Sequence, residues 1–365
     1  MSYGQVNADV IGTSVANSSL GAGNATLMKN KIINGACVID QRNAGSATAN
    51  TINGYTVDRW LVGQSTTGKL IAQQNAGSVT PPAGFTNYLG VTSQSSYSIG
   101  AGDLYFLQQN IEGYNIADLG WGTANAKTVT LSFWVRSSLT GTFGGSFYNA
   151  ANNRYYPYSY TISSANTWEQ KSITVAGDTT GTWTTTNGSG IILLFSLGIG
   201  TTYSGTAGSW TASQYYAPTG NTSVVGTSGA TFYITGVQLE VGSSATGFEY
   251  RQYGTELALC QRYYAQLGGV TNVAIATGIS TSSTTGNVTV KYPTTMRSAP
   301  TFTYISISGT NQSSYNGAVS ALNTIYAGVD SASVAYTHSG GATNLQTTIL
   351  QSNASNGSLN MSAEL

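Results

Sequence analysis

In the segment Thr128 to Val135, TVTLSFWV, Val129, Leu131, Phe133 and Val135 fall on one parity and Thr130, Ser132 and Trp134 on the other. A period of two sends alternate side chains to opposite faces, so this segment predicts a half-buried β-strand with one face in a core. The signal recurs in short pieces. Ile173 and Val175 follow Trp168, and Ile191 to Leu197 is a continuous apolar run, the pattern of a strand covered on both faces. Phe232 and Ile234 share one parity, whereas Val237, Leu239 and Val241 share the other, with Gly236 at the phase change. A β-bulge at Gly236 would restore a single inward face. Asn-Gly pairs at Asn34, Asn53, Asn187, Asn316 and Asn356 predict tight turns, some of them hairpins. Many short strands with frequent turns predict an all-β sandwich or barrel.

The surface of that fold must be built with little charge. Lys and Arg number 13 and Asp and Glu 13, or 7% of 365 residues, against roughly 25% in ordinary soluble domains. Low charge with few aromatics would mean disorder, but 24 Tyr, 9 Phe and 6 Trp supply apolar area to bury. The expectation is an ordered chain surfaced by Ser, Thr, Asn, Gln and Gly. Scattered basic residues argue against nucleic acid, which requires clustered Lys and Arg. Without a run of about 18 apolar residues, membrane insertion is not expected. The N-terminus, MSYGQVNADVIG, lacks the basic and apolar regions of a signal peptide. Cys37 and Cys260 are too few for a disulfide framework and read as packed free thiols. Assembly in a reducing cytoplasm fits these features.

Four regions follow along the chain. Residues 1–30, rich in Gly, Ala, Asn and Ser, read as an extended arm that docks elsewhere. Residues 31–253 hold the larger β domain. Within 254–268, the run Thr255 to Leu267 reads as a connecting helix, with Cys260, Tyr263, Tyr264 and Leu267 on one side, Thr255 as N-cap and Gly268-Gly269 as terminator. Residues 269–365 hold a smaller β domain, with strands at Asn287 to Tyr292, Thr301 to Ile307 and Leu345 to Leu350.

Catalytic signals are sparse. The one histidine, His338, sits in the loop-like YTHSGG and reads as exposed. No nucleophile elbow accompanies it, and no Gly-rich stretch carries the Lys-Ser/Thr of a phosphate cradle. Glycoside cleavage needs two carboxylates about 5 to 9.5 Å apart. Asp103, Glu112 and Asp118 are the best candidates, though they form no compact motif. A Ca²⁺ site of carboxylates and backbone carbonyls has no ligand spacing to support it, so no cofactor is expected. Asp58 and Arg59 in GYTVDRW, and Glu249 and Arg251 in FEYRQY, read as structural ion pairs tying the first and last strands of one domain. Aromatics concentrate in two places. Tyr155, Tyr156, Tyr158 and Tyr160 crowd one segment, and Trp210, Tyr215 and Tyr216 lie in a polar, Gly-rich one. Rings with polar tips suit glycan contact. They serve equally to cover core edges or to line a subunit interface.

Residues 232–264, FYITGVQLEVGSSATGFEYRQYGTELALCQRYY, resemble a signature of bacteriophage tail fibre and other virion proteins. In that family a carbohydrate-binding-module-like β-sandwich ends in GVQLE-G--AT-FE-R and a short helix containing CQRYY. The likeness extends to Ile33-Asn34-Gly35, Asp40-Gln41-Arg42, Tyr55, Asp58-Arg59-Trp60 and Tyr292 to Pro300. Gly247 stands where relatives often have Pro. The resemblance implies a jelly-roll-like sandwich, a homotrimer and a place on the virion exterior. It implies attachment to other virion proteins through the arm, and no catalytic residue. The expected function is a trimeric tail fibre or adhesin binding host surface polysaccharide. The alternatives are a capsid decoration protein (head fibre or cement) without a receptor role, and a polysaccharide depolymerase.

Overall fold

The computed structural model describes residues 28–48, 53–311 and 315–365. All but the last residues of the expected N-terminal arm lie outside them. Among the described residues the chain is all-β apart from one short α-helix and a few single turns of 3₁₀-helix, and it divides into two compact units. The larger takes residues up to 38, 47–54 and 61–251, and the smaller takes 39–46, 55–60 and 252–365. Segments 39–46 and 55–60 therefore leave the larger domain in which sequence order places them.

The strands of the larger unit are β1 (Asn53–Tyr55), β2 (Leu61–Gln64), β3 (Leu70–Gln74), β4 (Leu89–Ser93), β5 (Leu104–Glu112), β6 (Val129–Ser137), β7 (Gly141–Asn149), β8 (Tyr155–Ile162), β9 (Glu169–Val175), β10 (Ser189–Ile199), β11 (Ser204–Gly205), β12 (Ala217–Pro218) and β13 (Thr231–Val241). Six of them form one sheet in the order β1-β2-β5-β10-β7-β8, and five form the other in the order β3-β4-β13-β6-β9. From β4 to β7 the chain changes sheet at every strand, and it alternates again from β8 through β9 and β10 to β13. This is a jelly-roll-like sandwich. The alternation of TVTLSFWV works as predicted: Val129, Leu131, Phe133 and Val135 are all fully buried. Phe133 meets Phe195 of β10 edge to face at 5.1 Å. Each such ring contributes about 1.5–3 kcal/mol through burial.

β13 explains the parity change around Gly236. Its pairing with β6 skips from Thr235 to Gln238, and Gly236 has φ 61°. That is the predicted bulge, at a backbone angle that glycine adopts without steric cost. β4 covers β13 only from Thr231 to Ile234. Beyond the bulge, residues 30–35 take over that side. Val237 N–H donates to Gly35 O (2.9 Å) and Lys31 N–H to Leu239 O (2.8 Å), while the Asn30 side chain bonds Val237 O and Leu239 N. The Asn-Gly pairs are mostly not left-handed turns: of the five asparagines, only Asn34 has positive φ among the described residues.

The smaller unit contains α1 (Tyr253–Gln261), β14 (Tyr264–Gly268), β15 (Ala274–Ser280), β16 (Thr285–Lys291), β17 (Thr301–Ile305), β18 (Ile307–Thr310), β19 (Asn316–Ala327), β20 (Ser331–His338), β21 (Thr347–Ser352) and β22 (Ser358–Ser362). The helix is shorter than predicted and is capped by Gln252 rather than Thr255. Residues 264–268 leave it as a strand paired with β22. Six strands close a barrel in the order β15-β16-β20-β19-β18-β21, and β14-β22-β17 form a separate sheet. Val288, Val290, Val334 and Leu350 fill the barrel. His338 ends β20 and is 2% exposed, stacked on Tyr315 at 5.1 Å, so the exposed-loop reading of it is corrected.

Candidate functional site

The tyrosines of β8 separate by parity. Tyr156, Tyr158 and Tyr160 stand opposite Phe147, Gly145 and Phe143. Tyr158 and Tyr160 are core residues, 1% and 7% exposed. Tyr160 packs on Phe133 at 5.1 Å, and the Tyr158 hydroxyl donates to Leu194 O at 2.9 Å. Burial pushes both phenols up. Both rings lie between the two sheets, on Phe133 and Phe195, so the glycan role expected of them is corrected to core packing. Trp210 joins Trp121 and Trp183 in a cluster with centroids 4.8–5.4 Å apart, and Tyr156 packs against it at 5.2 Å. All three indole N–H groups donate to backbone carbonyls, of Ala176, Lys127 and Thr180. Their polar ends are spent on structure.

The outer face of the six-stranded sheet is different. Tyr148 and Tyr155 are direct cross-strand neighbours, stacked at 5.4 Å with planes 17° apart. Tyr216 packs edge-on against both, at 5.2 and 5.5 Å, and Tyr203 flanks it at 5.7 Å. Tyr155 is covered completely, but Tyr148 and Tyr216 keep 6% and 8% of their surface. Tyr215 is half-buried, its ring lying over Gly205. Next to this aromatic group runs β5, whose inward residues Tyr105, Leu107 and Ile111 are buried while Phe106, Gln108 and Asn110 on the other parity stay half-exposed. Asn110 faces Ile192 across the ladder, and Ile192 faces Tyr148. Tyr148 Oη donates to Gln108 Oε1 (2.9 Å), and Gln108 Nε2 donates to Asn110 Oδ1 (2.7 Å). Phe106 lies flat across Gly63 of β2, where any side chain would collide with its ring. The exposed Gln214 donates to Tyr216 Oη at 2.6 Å.

This surface offers one flat ring, a relayed row of amides and tyrosine edges, all on strands or packed against them. Sequence reasoning found Tyr155, Tyr215 and Tyr216 but missed Phe106, Gln108, Asn110 and Tyr148. In LYFLQQNIE both parities carry apolar residues, so the alternation is hidden. The remaining signal is the pair of amides two residues apart.

The carboxylates have local duties. Asp103 accepts from Gly100 N–H (2.8 Å) and from the Tyr97 hydroxyl (3.0 Å). Asp118 pairs with Lys31 at 2.8 Å, and Glu112 is buried at 1% exposure. No group of three or more His, Cys, Asp or Glu residues able to hold a metal occurs among the described residues. Cys37 and Cys260 are buried and free, and burial pushes the Cys37 thiol up to about 12. A thiol held protonated in this way is a poor nucleophile.

The four charged residues expected to tie one domain together serve two different units. Glu249 accepts from the backbone N–H groups of Met28 and Asn30. Arg251 donates to Asn30 O and Ile32 O and meets Glu249 at 3.4 Å. Both therefore grip residues 28–32 beside β13. In the smaller unit, Arg59 pairs with Glu364 and lies over the Tyr263 ring at 3.6 Å. Arg42 also pairs with Glu364, at 2.7 Å, and covers Tyr264 at 3.5 Å. Gln41 donates to Asp58 at 2.5 Å. Burial pushes the Asp58 carboxyl up to about 7, opposed by Arg42 and by the Gln41 hydrogen bond.

No family model and no curated protein matches the chain. Solved structures are similar in fold. The enzymatically active domain of tailspike protein 4 from bacteriophage CBA120 matches 59% of this chain at 13% identity and a TM-score of 0.32, and the match spans only 22% of that chain. A family 11 carbohydrate-binding module from Clostridium thermocellum matches 55% of this chain and 97% of its own at 10% identity and a TM-score of 0.27. The N-terminal cellulose-binding domain of Cellulomonas fimi β-1,4-glucanase C matches 55% of this chain and 97% of its own at 13% identity and a TM-score of 0.24. No residue role passes to this chain from these likenesses.

Proposed function

We propose that this protein is a non-enzymatic component of a bacteriophage particle, displayed on the virion exterior as a homotrimer, that binds host surface glycan through the outer face of its six-stranded sheet. The phage assignment is supported by the signature in residues 232–264 and its matching start at residues 33–60. Binding rather than catalysis is supported by the carboxylates, since Asp103 and Asp118 are each engaged locally.

The observation that carries the glycan reading is the half-exposed row Phe106, Gln108 and Asn110 beside Tyr148 and Tyr216. A sugar ring presents an apolar face and a rim of hydroxyls. Phe106 offers a flat surface for the first, and the amides offer donors and acceptors for the second. Mutual hydrogen bonding holds the amides in one orientation, so little entropy is lost on binding.

The test is binding of host surface polysaccharide to the purified chain. Changing Gln108 and Asn110 together to Ala removes hydrogen bonds worth about 1 kcal/mol each and should weaken binding at least about tenfold. The control Tyr326→Ala alters a 77% exposed residue of the smaller unit and should leave affinity unchanged. Equal affinity for the double variant and the parent would refute the site.

A further inference from the structure

The five-stranded sheet also has a solvent face, and the alternation that buries Phe133 turns Trp134 outward onto it. Trp134 remains half-exposed in the middle of β6. It stands in register between Thr235 of β13 and the exposed Gln170 of β9. Two residues along, Ser132 stands between Gln238 and the exposed Ser172. At the bulge, a methyl group on Gly236 would come within 2.6 Å of the Phe85 ring and 3.2 Å of Trp134, so the missing side chain is what lets these two rings lie over the strand together. Phe85 continues into a triad with Phe248 and Tyr250, with centroids 5.0–5.6 Å apart. Tyr250 is 61% exposed. Four rings thus form a strip, with neutral amide and hydroxyl groups beside it.

We infer that this strip is a second saccharide-binding platform, for neutral sugar chains. The rings offer stacking surfaces, and the exposed Gln170 and Ser172 offer uncharged hydrogen-bonding groups at the rim. The nearest cation on the same face of β6, Arg136, is turned away: it donates to Asn166 O at 3.0 Å and lies 5.5 Å from the Tyr233 ring. A charged polymer would find no counter-charge among these groups. Aromatic rings serve protein interfaces as well, but the uncharged amide and hydroxyl groups beside this strip match the hydroxyl rim of a neutral sugar. With the first platform on the opposite sheet, one sandwich can engage two sugar chains or two stretches of one, which raises avidity without new contacts. The glycan class rests on the function proposed above, but the residues are separate.

The experiment is calorimetric titration of the full-length chain with soluble neutral oligosaccharides drawn from host polysaccharide, together with sedimentation of the free protein. The parent should bind two equivalents. Trp134→Ala should remove one, and the Gln108/Asn110 double Ala variant should remove the other. Gln170→Ala and Tyr250→Ala alter exposed groups, and each should weaken the Trp134-dependent site about threefold, which keeps the test valid should Trp134→Ala fail to fold. Two equivalents retained in Trp134→Ala, or one equivalent lost only through Gln108 and Asn110, would overturn this proposal and leave the first site standing. Loss through Trp134 alone would overturn the first site and leave this one. Absence of binding by the parent would overturn both, and Trp134-dependent self-association without sugar binding would show that a second copy of the chain covers the strip.

Discussion

Both units have an apolar core, but they differ in what else fixes their segments. In the larger, the space between the sheets is filled by rings such as Phe133, Phe195, Tyr158 and Tyr160, in edge-to-face contacts. In the smaller, Arg42 and Arg59 converge on Glu364, and each guanidinium also covers a tyrosine ring. Apolar burial is non-directional and scales with area, so it suits long strands that bring many side chains each. The segments 39–46 and 55–60 are short and far in sequence from the rest of their unit. Ile39, Val57 and Trp60 are buried there, but apolar burial is non-directional and does not by itself set how the segments are oriented. Paired charges and cation–π contacts have definite geometry, and they fix these segments against residues 263, 264 and 364. A chain with so few charges spends several of them at one assembly point.

The largest effect should come from breaking that point. Arg59 is 1% exposed and Glu364 is 7% exposed on their side chains. Breaking a buried pair outright costs about 3–5 kcal/mol; Arg59→Ala leaves Glu364 paired with Arg42 but also removes the cover of the Tyr263 ring, so that figure is the upper bound of the loss. Arg59→Ala should therefore raise hydrogen exchange in β14 and β22 well before β6 and β10 respond. A uniform rise across both units would break the comparison.

The contrast also shows what could be read from sequence. β6 and the bulge in β13 were legible because one face is buried and the parity of the apolar residues reports it. The β8 tyrosines were misread because Tyr155, on the opposite parity from Tyr156, Tyr158 and Tyr160, is aromatic too, so the cluster looked like a surface patch. The helix was drawn too long because Cys260, Tyr263, Tyr264 and Leu267 fit a helical side while Tyr263, Ala265 and Leu267 fit a strand alternation, and only pairing with β22 decides between them. The Arg59–Glu364 partnership spans 305 positions, and no local pattern encodes it. The face containing Gln108 and Asn110 was hidden because neighbouring loops bury parts of it, and that cover is not a property of β5.

An intermediate effect tests the larger unit at the bulge in β13. At Gly236 an Ala would hold a left-handed φ and press on Phe85. The left-handed backbone alone costs about 1–2 kcal/mol for a residue with a Cβ. Gly236→Ala should lower the denaturant midpoint of the larger unit by a corresponding amount and leave the barrel of the smaller unit unaffected. If the barrel lost as much stability, the two units would not be energetically distinct.

The smallest effect concerns acid, and it belongs to the smaller unit because the chain's one histidine lies there. Burial lowers the His338 pKa from its ordinary 6.5. Its Nδ1 accepts from Gly340 N–H at 3.2 Å, and its Nε2 is buried without a hydrogen-bond partner among the described residues. Folding therefore favours the neutral imidazole. The stability it contributes is complete above pH 6.5 and is lost as pH falls through the lowered value. Asp58 works in the opposite sense. Its carboxyl rises from 3.8 to about 7, so the folded state favours the protonated acid and gains stability as pH falls from about 7 towards 4. In the unmodified chain the two slopes oppose each other. Asp58→Asn keeps an acceptor for Gln41 and removes one slope. In that background the barrel should lose stability as pH drops below about 6.5, and adding His338→Gln should flatten the curve. A flat curve with His338 still present would mean that the imidazole is solvated by acid-induced opening before it titrates, and the barrel end would then be the loosest part of the smaller unit.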